Sequence, residues 1–208
     1  MITYIIPARR GSKGFPFKNR ILMYEHKYLK EIKDNLIIST DDEVIKEFCD
    51  SNNIKIHNRP PHLKGDKIST KDVILDVIDS MEVTTNLISV LYLTYPQRKL
   101  QDIQNAIQFL QDQKANSLLC RKDLKVHPFL TLKEEPLCKG SQITPHNLYR
   151  RQDYPKCFEV SHFISIFKRD EISKLNDNLY NENTVFFPIP DVLDIDYNLD
   201  YDTYKNNS

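Results

Sequence analysis

The chain has 208 residues, which suits one domain with a sizeable core. Lys+Arg and Asp+Glu balance at 29 each, which argues against a general pull towards nucleic acid or an anionic membrane. No apolar run approaches the roughly 18 residues of a membrane span, and charges begin at Arg9 before a signal-peptide core could form. A cytoplasmic location is therefore expected. The widely spaced Cys49, Cys120, Cys138 and Cys157 then read as reduced thiols, mostly in packing roles.

In chain order, Ile2 to Ile6 reads as a buried strand ended by Pro7. A cationic loop follows, and a short helix is expected over 24–33. Asn35 to Ser39 reads as the second strand. Ser39-Thr40-Asp41-Asp42 offers caps to a helix over about 42–52, with Val44, Ile45 and Phe48 at helical spacing. Ile54 to Ile56 is a short strand. Ser69 and Thr70 open a helix over about 70–82, with a stripe of Val73, Ile74, Val77, Ile78 and Met81. Leu87 to Leu93 is a near-continuous apolar run and reads as the central strand. An amphipathic helix over 100–114 and a strand at 117–120 complete an alternation that predicts an α/β fold, Rossmann-like, with a mostly parallel sheet flanked by helices. The rhythm then breaks over 121–155, a Pro-, Lys-, Glu- and His-rich excursion. Strand character returns at 163–167 and 184–187.

Two segments carry chemistry. In Ala8-Arg9-Arg10-Gly11-Ser12-Lys13-Gly14, followed by Lys18-Asn19-Arg20, five cations, two glycines and a serine follow directly on the first strand. Glycines let a backbone offer N–H groups to phosphate, and Lys and Arg neutralise its charge. Open α/β sheets place ligands at such strand ends. The order matches neither the Walker loop nor the dinucleotide Gly-x-Gly-x-x-Gly pattern. A solvated basic loop would have the same composition. The second segment is Asp194-Ile195-Asp196. Residues two apart in extended chain project to one side, so two carboxylates could share a hard divalent ion; an exposed acidic turn would read alike. Charge is polarised accordingly: residues 1–33 hold eight Lys/Arg against two acids, and residues 191–208 hold five Asp against one Lys.

Pro7-Ala8-Arg9-x-Gly11-Ser12-Lys13-Gly14 with Lys18-Asn19 closely resembles the N-terminal signature of the sugar-activating cytidylyltransferases, in particular the acylneuraminate (CMP-sialic acid synthetase) branch. Further blocks are similar in the same order: Ser39-Thr40-Asp41-Asp42, Arg59-Pro60 with Asp66 and Ser69-Thr70, Tyr95-Pro96-Gln97-Arg98, Val126-His127-Pro128, Arg150-Arg151-Gln152-Asp153-x-Pro155 and Asp194-Ile195-Asp196. The resemblance spans residues 2 to about 204. It implies a single domain over 1–208 of the nucleotide-diphospho-sugar transferase type, with a short protruding arm at about 127–155 that serves a homodimer.

The resemblance also implies an activity: transfer of CMP from CTP to the anomeric hydroxyl of an acidic, sialic-acid-like sugar, with release of pyrophosphate. Ala8, Arg9, Gly11, Ser12, Lys13, Lys18, Asn19, Arg59, Ser69 and Thr70 would bind the nucleotide. Lys13, Lys18, Asp194 and Asp196 would be catalytic, with Asp194 and Asp196 holding Mg²⁺. Tyr92, Arg151, Glu159 and Ser161 would meet the sugar. The partners are thus two small molecules, with neither nucleic acid nor membrane.

Departures from the family pattern lie at both ends of the site. The stretch between Asn19 and the second strand is about half the expected length. Tyr92 replaces a Gln that touches the sugar, and Leu130 stands where a Lys is expected. Glu159, Ser161 and Ser165 replace an Arg, an Asn and a Tyr, leaving Arg151 as the main cation for a sugar carboxylate. An unpaired Glu159 would repel that carboxylate, so N-acetylneuraminate is expected to be a poor substrate. A Kdo-like or pseudaminic-like acceptor, or a nucleotide-binding descendant without activity, remain the alternatives.

Overall fold

The computed structural model describes residues 1–206. Its elements in chain order are β1 (Ile2–Pro7), α1 (Lys18–Met23), α2 (Leu29–Ile32), β2 (Leu36–Thr40), α3 (Glu43–Asn52), β3 (Lys55–Asn58), α4 (Thr70–Ser80), β4 (Leu87–Val90), α5 (Leu100–Asp112), β5 (Ser117–Asp123), β6 (Leu132–Glu135), β7 (Lys139–Gln142), β8 (Phe158–Lys168), β9 (Val185–Pro188) and α6 (Asn198–Asn206). Seven strands form one sheet in the order β3-β2-β1-β4-β8-β5-β9, and β6 and β7 form a separate antiparallel hairpin.

The sheet is parallel except for β8, which runs against β4 and β5. The chain leaves β5 through the hairpin arm and returns without a crossover helix, and such a return suits antiparallel pairing. Burial follows the two-residue period of the strands. Tyr4, Ile6, Leu36 and Ile38 join one core, with Ile45, Ile103 and Ala106 from the helices. Ile5, Ile37, Ile88 and Val90 join a second core with Ile74 and Val77 of α4 and Phe167 of β8. Both faces being covered explains why these strands read as continuous apolar runs. Cys49 and Cys120 are buried, but Cys157 is exposed; the side chain of Cys138 lies outside the described residues, as do residues 207–208.

Local chemistry sets the helix starts. The Asp42 carboxylate accepts from Val44 N at 3.0 Å at the head of α3, and Ser69 Oγ accepts from Asp72 N at 3.1 Å at the head of α4. Of the expected helix over 24–33 only the one-turn α2 forms, and a separate short helix, α1, starts inside the cationic loop and ends at Met23, before that range. His26 lies between the two, 3% exposed, with Nε2 2.9 Å from the Leu93 carbonyl. Its side chain is thus committed to the core between two short helices. The expected strand over 87–93 ends at Val90. Leu91 N still donates to Ile5 O at 3.0 Å, but the chain then bends away and carries Tyr92 and Thr94 to the sheet edge.

Arg98 holds this bend. It is 2% exposed and donates to Tyr28 Oη at 2.9 Å, to Phe163 O at 2.5 Å and to Tyr92 O at 2.6 Å. Burial, with Arg98 nearby, pushes the His26 pKa down to about 3. Burial lowers that of His57 as well, although Asp76 beside it works the other way. A folded-state pKa below the ordinary ~6.5 means the stabilisation is complete above that pH and is lost as the pH falls towards 3. Denaturant melts should therefore show stability declining by up to about 1.4 kcal/mol per pH unit over that window on account of His26, with His57 acting in the same direction. His26→Gln, which keeps an N–H for Leu93, should flatten the decline.

Candidate active site

Because β1 to β4 are parallel, their C-terminal ends share one edge of the sheet. β1 lies between β2 and β4, so the order reverses there and the loops after β1 and β4 part to leave a crevice. Three adjoining cavities occupy it. The first, about 200 Å³, is lined by Arg9, Gly11, Ser12, Lys18, Asn19, Arg59, Asp66, Thr70, Tyr92 and Thr94, among others. The second, about 490 Å³, lies over Arg9, Ser12, Lys13, Gly14, Lys18, Asp66 and Asp196. The third, about 340 Å³, is lined by Lys18, Thr70, Tyr92, Thr94, Tyr95, His162, Asp177, Asn178, Asp194 and Asp196. Lys18 belongs to all three and sits where they meet. A larger cavity of about 610 Å³, between residues 23–30 and α3, shares no residue with them.

The basic loop and the acidic segment, nearly 180 residues apart in sequence, touch. Lys18 Nζ lies 2.7 Å from Asp196 Oδ1. A Cβ on Gly14 would fall 2.6 Å from the Asp196 carbonyl oxygen and 3.1 Å from the Tyr197 ring, so only glycine admits this approach. Ile195 between the two aspartates is fully buried, and its N–H donates to Thr94 O at 2.9 Å. That anchor leaves Asp194 and Asp196 both facing the third cavity.

The two carboxylates are unlike. Asp196 is exposed and paired with Lys18. Asp194 is largely buried, and burial raises its pKa against the opposing pull of Thr94 and Tyr95. Tyr95 Oη donates to Asp194 Oδ2 at 2.8 Å, while Asp194 Oδ1 is buried without a hydrogen-bond partner. A buried carboxylate oxygen left unmatched is costly, and a cation beside it would relieve the cost. Among the described residues no cluster of three or more His, Cys, Asp or Glu side chains forms. Two carboxylates with solvent and phosphate oxygens are nevertheless a usual environment for Mg²⁺, so the donor set fits that ion.

For the cationic loop, Asp66 is the internal counter-ion. Arg9 donates to it, and Lys13 Nζ lies 2.5 Å from its other oxygen. Hydrogen bonds from Lys13 and then Arg9 hold the Asp66 pKa down to about 2. Asn19 Nδ2 donates to Arg9 O at 2.9 Å and sets the loop's shape. Arg59 is 6% exposed and donates to Ser39 O at 3.1 Å; burial lowers its pKa to about 10.

Several candidate residues stand apart from the crevice. Ala8 is fully buried; its N–H and C=O pair with Ser39 O and Thr40 Oγ1, so it is framework under the loop. Ser69 caps α4 and does not line the cavities. Arg151 sits exposed on a 3-10 turn (Arg151–Asp153), away from all three. Glu159 is not unpaired: it stands opposite Lys122 in the β5–β8 register, with Lys122 Nζ 3.1 Å away. The expected repulsion from Glu159 is thereby corrected, since its charge is matched outside the crevice. Ser161 is buried against the Tyr95 hydroxyl, and His162, the next residue on β8, faces the third cavity instead. Thr94 and Tyr95, at the start of the Tyr95-Pro96-Gln97-Arg98 block, also line the crevice without having been singled out as site residues, and His162, Asp177 and Asn178 join it from segments without a motif. Strand alternation from Ser161 was the one signal pointing to His162.

Since Asp66 occupies the cations an anion would need, Asp66→Asn should tighten binding of inorganic triphosphate several-fold by calorimetry, and Lys13→Ala should weaken it. The gain should shrink as salt is added.

The sequence model of the cytidylyltransferase family matches residues 3–187. The chain is 28% identical over 179 residues to N-acylneuraminate cytidylyltransferase of Streptococcus agalactiae serotype V, a match covering 80% of this chain and 43% of that protein. The chain thus spans less than half the length of that relative. It is 26% identical over 212 residues to CMP-N,N'-diacetyllegionaminic acid synthase of Campylobacter jejuni subsp. jejuni serotype O:2, covering 94% of this chain and 90% of that one. In three dimensions it superposes on a CMP:2-keto-3-deoxy-manno-octonic acid synthetase complexed with CTP at a TM-score of 0.71. That match is 14% identical and covers 99% of this chain and 97% of the other. It supports the nucleotide-diphospho-sugar transferase fold, while the match over residues 3–187 goes further: the chain belongs to the cytidylyltransferase family.

Proposed function

We propose that this protein is a CTP-dependent sugar cytidylyltransferase that joins CMP to the anomeric hydroxyl of a sialic-acid-like sugar and releases pyrophosphate. The observation that carries the reading is the meeting of Lys18 with Asp196 at the sheet's switch point. There the cationic loop and the acidic pair share one crevice in a chain of the cytidylyltransferase family.

In this reading Arg9, Ser12, Lys13 and Lys18 hold the triphosphate, with Asp66 and Asp196 giving up their cations as it enters. Asn19, Arg59 and Thr70 border the nucleoside end. The anomeric oxygen forms a bond to the α-phosphorus as the bond to the pyrophosphate oxygen breaks. The hydroxyl proton passes to the carboxylate pair. Such transfer depends mostly on positioning and charge neutralisation. Asp194 and Asp196 would hold Mg²⁺, which when bound lowers the pKa of a nearby hydroxyl. Tyr95 orients Asp194 through its 2.8 Å hydrogen bond.

The arm over 127–155 leaves Leu130, Leu132, Leu137, Ile143 and Leu148 exposed. We assign these to the contact with a second copy, which light scattering on the eluted protein would detect as a dimer mass. Among the described residues no helix is long and apolar enough to cross a membrane.

Pyrophosphate release with CTP, Mg²⁺ and a panel of sugar acids tests the activity. Asp194→Asn and Asp196→Asn should each remove most turnover. Asp194→Asn should also raise the melting temperature of the metal-free protein at neutral pH. A raised folded-state pKa means the stabilisation belongs to the protonated form and is lost as pH rises through the carboxylate range; the amide keeps it. Wild-type rates in both variants, or equal thermal shifts with CTP and ATP, would refute the assignment.

A further inference from the structure

The lining of the third cavity falls into two groups of polar side chains. One is Lys18 with Asp194 and Asp196; the other is His162 of β8 with Asp177 and Asn178 of the turn over residues 176–180. Among the described residues Lys18 is the one Lys or Arg in this lining, and it is engaged by Asp196. In the second group the polar atoms are uncommitted. Among the described residues the Asp177 carboxylate makes no ion pair or side-chain hydrogen bond, and the Asn178 carboxamide has no partner. The His162 ring packs edge-on to Tyr92, 5.6 Å between centroids, and its Nδ1 is buried and unpaired.

The turn that carries Asp177 and Asn178 is built with unusual firmness. Asn176 Oδ1 accepts from Asn178 N at 2.9 Å and from Tyr180 N at 3.2 Å. Asn176 N donates to Tyr180 O at 2.9 Å, and Leu179 N to Asn176 O at 2.9 Å. Leu179 takes a left-handed φ of 62° and is 1% exposed, plugged into the second core. A non-glycine residue adopts that conformation only where its surroundings compel it. Lys71 of α4 ties the chain just before the turn, donating to Leu175 O at 2.6 Å and to Ser173 O at 3.2 Å. A rigid turn that presents two unpaired polar side chains to a cavity is placed for recognition.

We propose that Asp177 and Asn178, backed by His162, select the acceptor sugar by taking its O–H or N–H donors in the third cavity. This rests on the cytidylyltransferase reading and names the substrate feature it leaves open. The acceptor is a sugar acid whose hydroxyl or acylamino groups point to the 176–180 turn. Its carboxylate is turned away from that turn, because Asp177 would repel it and, among the described residues, no free cation lines this cavity. Asp177 and Asn178 are exposed and hydrated in the free protein, so an acceptor has to replace that water with O–H or N–H donors of its own, and one that brings none loses those contacts.

The test uses the intact protein with CTP and EDTA, so that turnover is suppressed. Saturation-transfer NMR titrations with N-acetylneuraminate, N,N'-diacetyllegionaminate and 3-deoxy-manno-octulosonate read acceptor binding, and calorimetry reads CTP binding. At least one sugar should bind. Asp177→Ala should weaken it by about tenfold or more, the loss expected for a charge-assisted hydrogen bond, and Asn178→Ala by about fivefold, that of a neutral one, with CTP affinity kept within about twofold. Asp177→Asn, which keeps one accepting oxygen, should recover part of the loss. Sugar binding unchanged in both alanine variants, or no binding by any of the three, overturns the inference while CTP binding stands. Absence of CTP binding by the wild-type protein overturns the cytidylyltransferase reading itself, and the inference with it.

Discussion

The site depends on one close approach. The loop after the first strand must lie against the segment that carries Asp194 and Asp196, and Gly14 is where they meet. With any Cβ there, the Asp196 carbonyl would have to retreat from 2.6 Å. The approach is secured on the acidic side by Ile195, fully buried and hydrogen-bonded to Thr94. It is secured on the basic side by Lys18, whose ammonium reaches Asp196. The first and last parts of the chain therefore close one crevice, and the parallel sheet between them fixes where it opens.

Charge in this crevice is balanced internally. Asp66 answers Arg9 and Lys13, and Asp196 answers Lys18. These pairs are partly exposed and individually weak, so a polyanion with several charges can displace them together. Asp194 is the exception. It is buried, its pKa is raised, and one of its oxygens has no partner. The fold carries a local instability there that a bound cation would offset, which is a common property of sites arranged for catalysis rather than stability.

Beneath the site, buried polar groups hold irregular backbone in place. After Val90 the chain leaves the ladder, and its carbonyls at Tyr92 and Leu93 would be unsatisfied without Arg98 and His26. The same Arg98 reaches Phe163 O on β8 and so couples the bend to the strand that presents His162. A surface-charge reading of Arg98 is natural from its neighbours Gln97 and Lys99. Its burial follows from three carbonyl and hydroxyl oxygens that converge only in the folded chain.

Much of this was determined by the sequence alone. Strand-helix alternation up to residue 120, capping runs over 39–42 and 69–72, and the cationic loop after β1 are local patterns, and local patterns survive without tertiary context. The cationic loop and the aspartate pair could be singled out for the same reason: they are contiguous motifs. The tertiary structure alone decided what depends on residues distant in sequence. It set β8 antiparallel between two parallel strands and cut the expected 24–33 helix down to Leu29–Ile32, with His26 buried just before it. It gave Glu159 to Lys122, kept Arg151 out of the crevice, and brought His162, Asp177 and Asn178 into its lining. Those placements follow from strand register and from the turn that Leu179 anchors, and neither leaves a spacing that could be read along the chain.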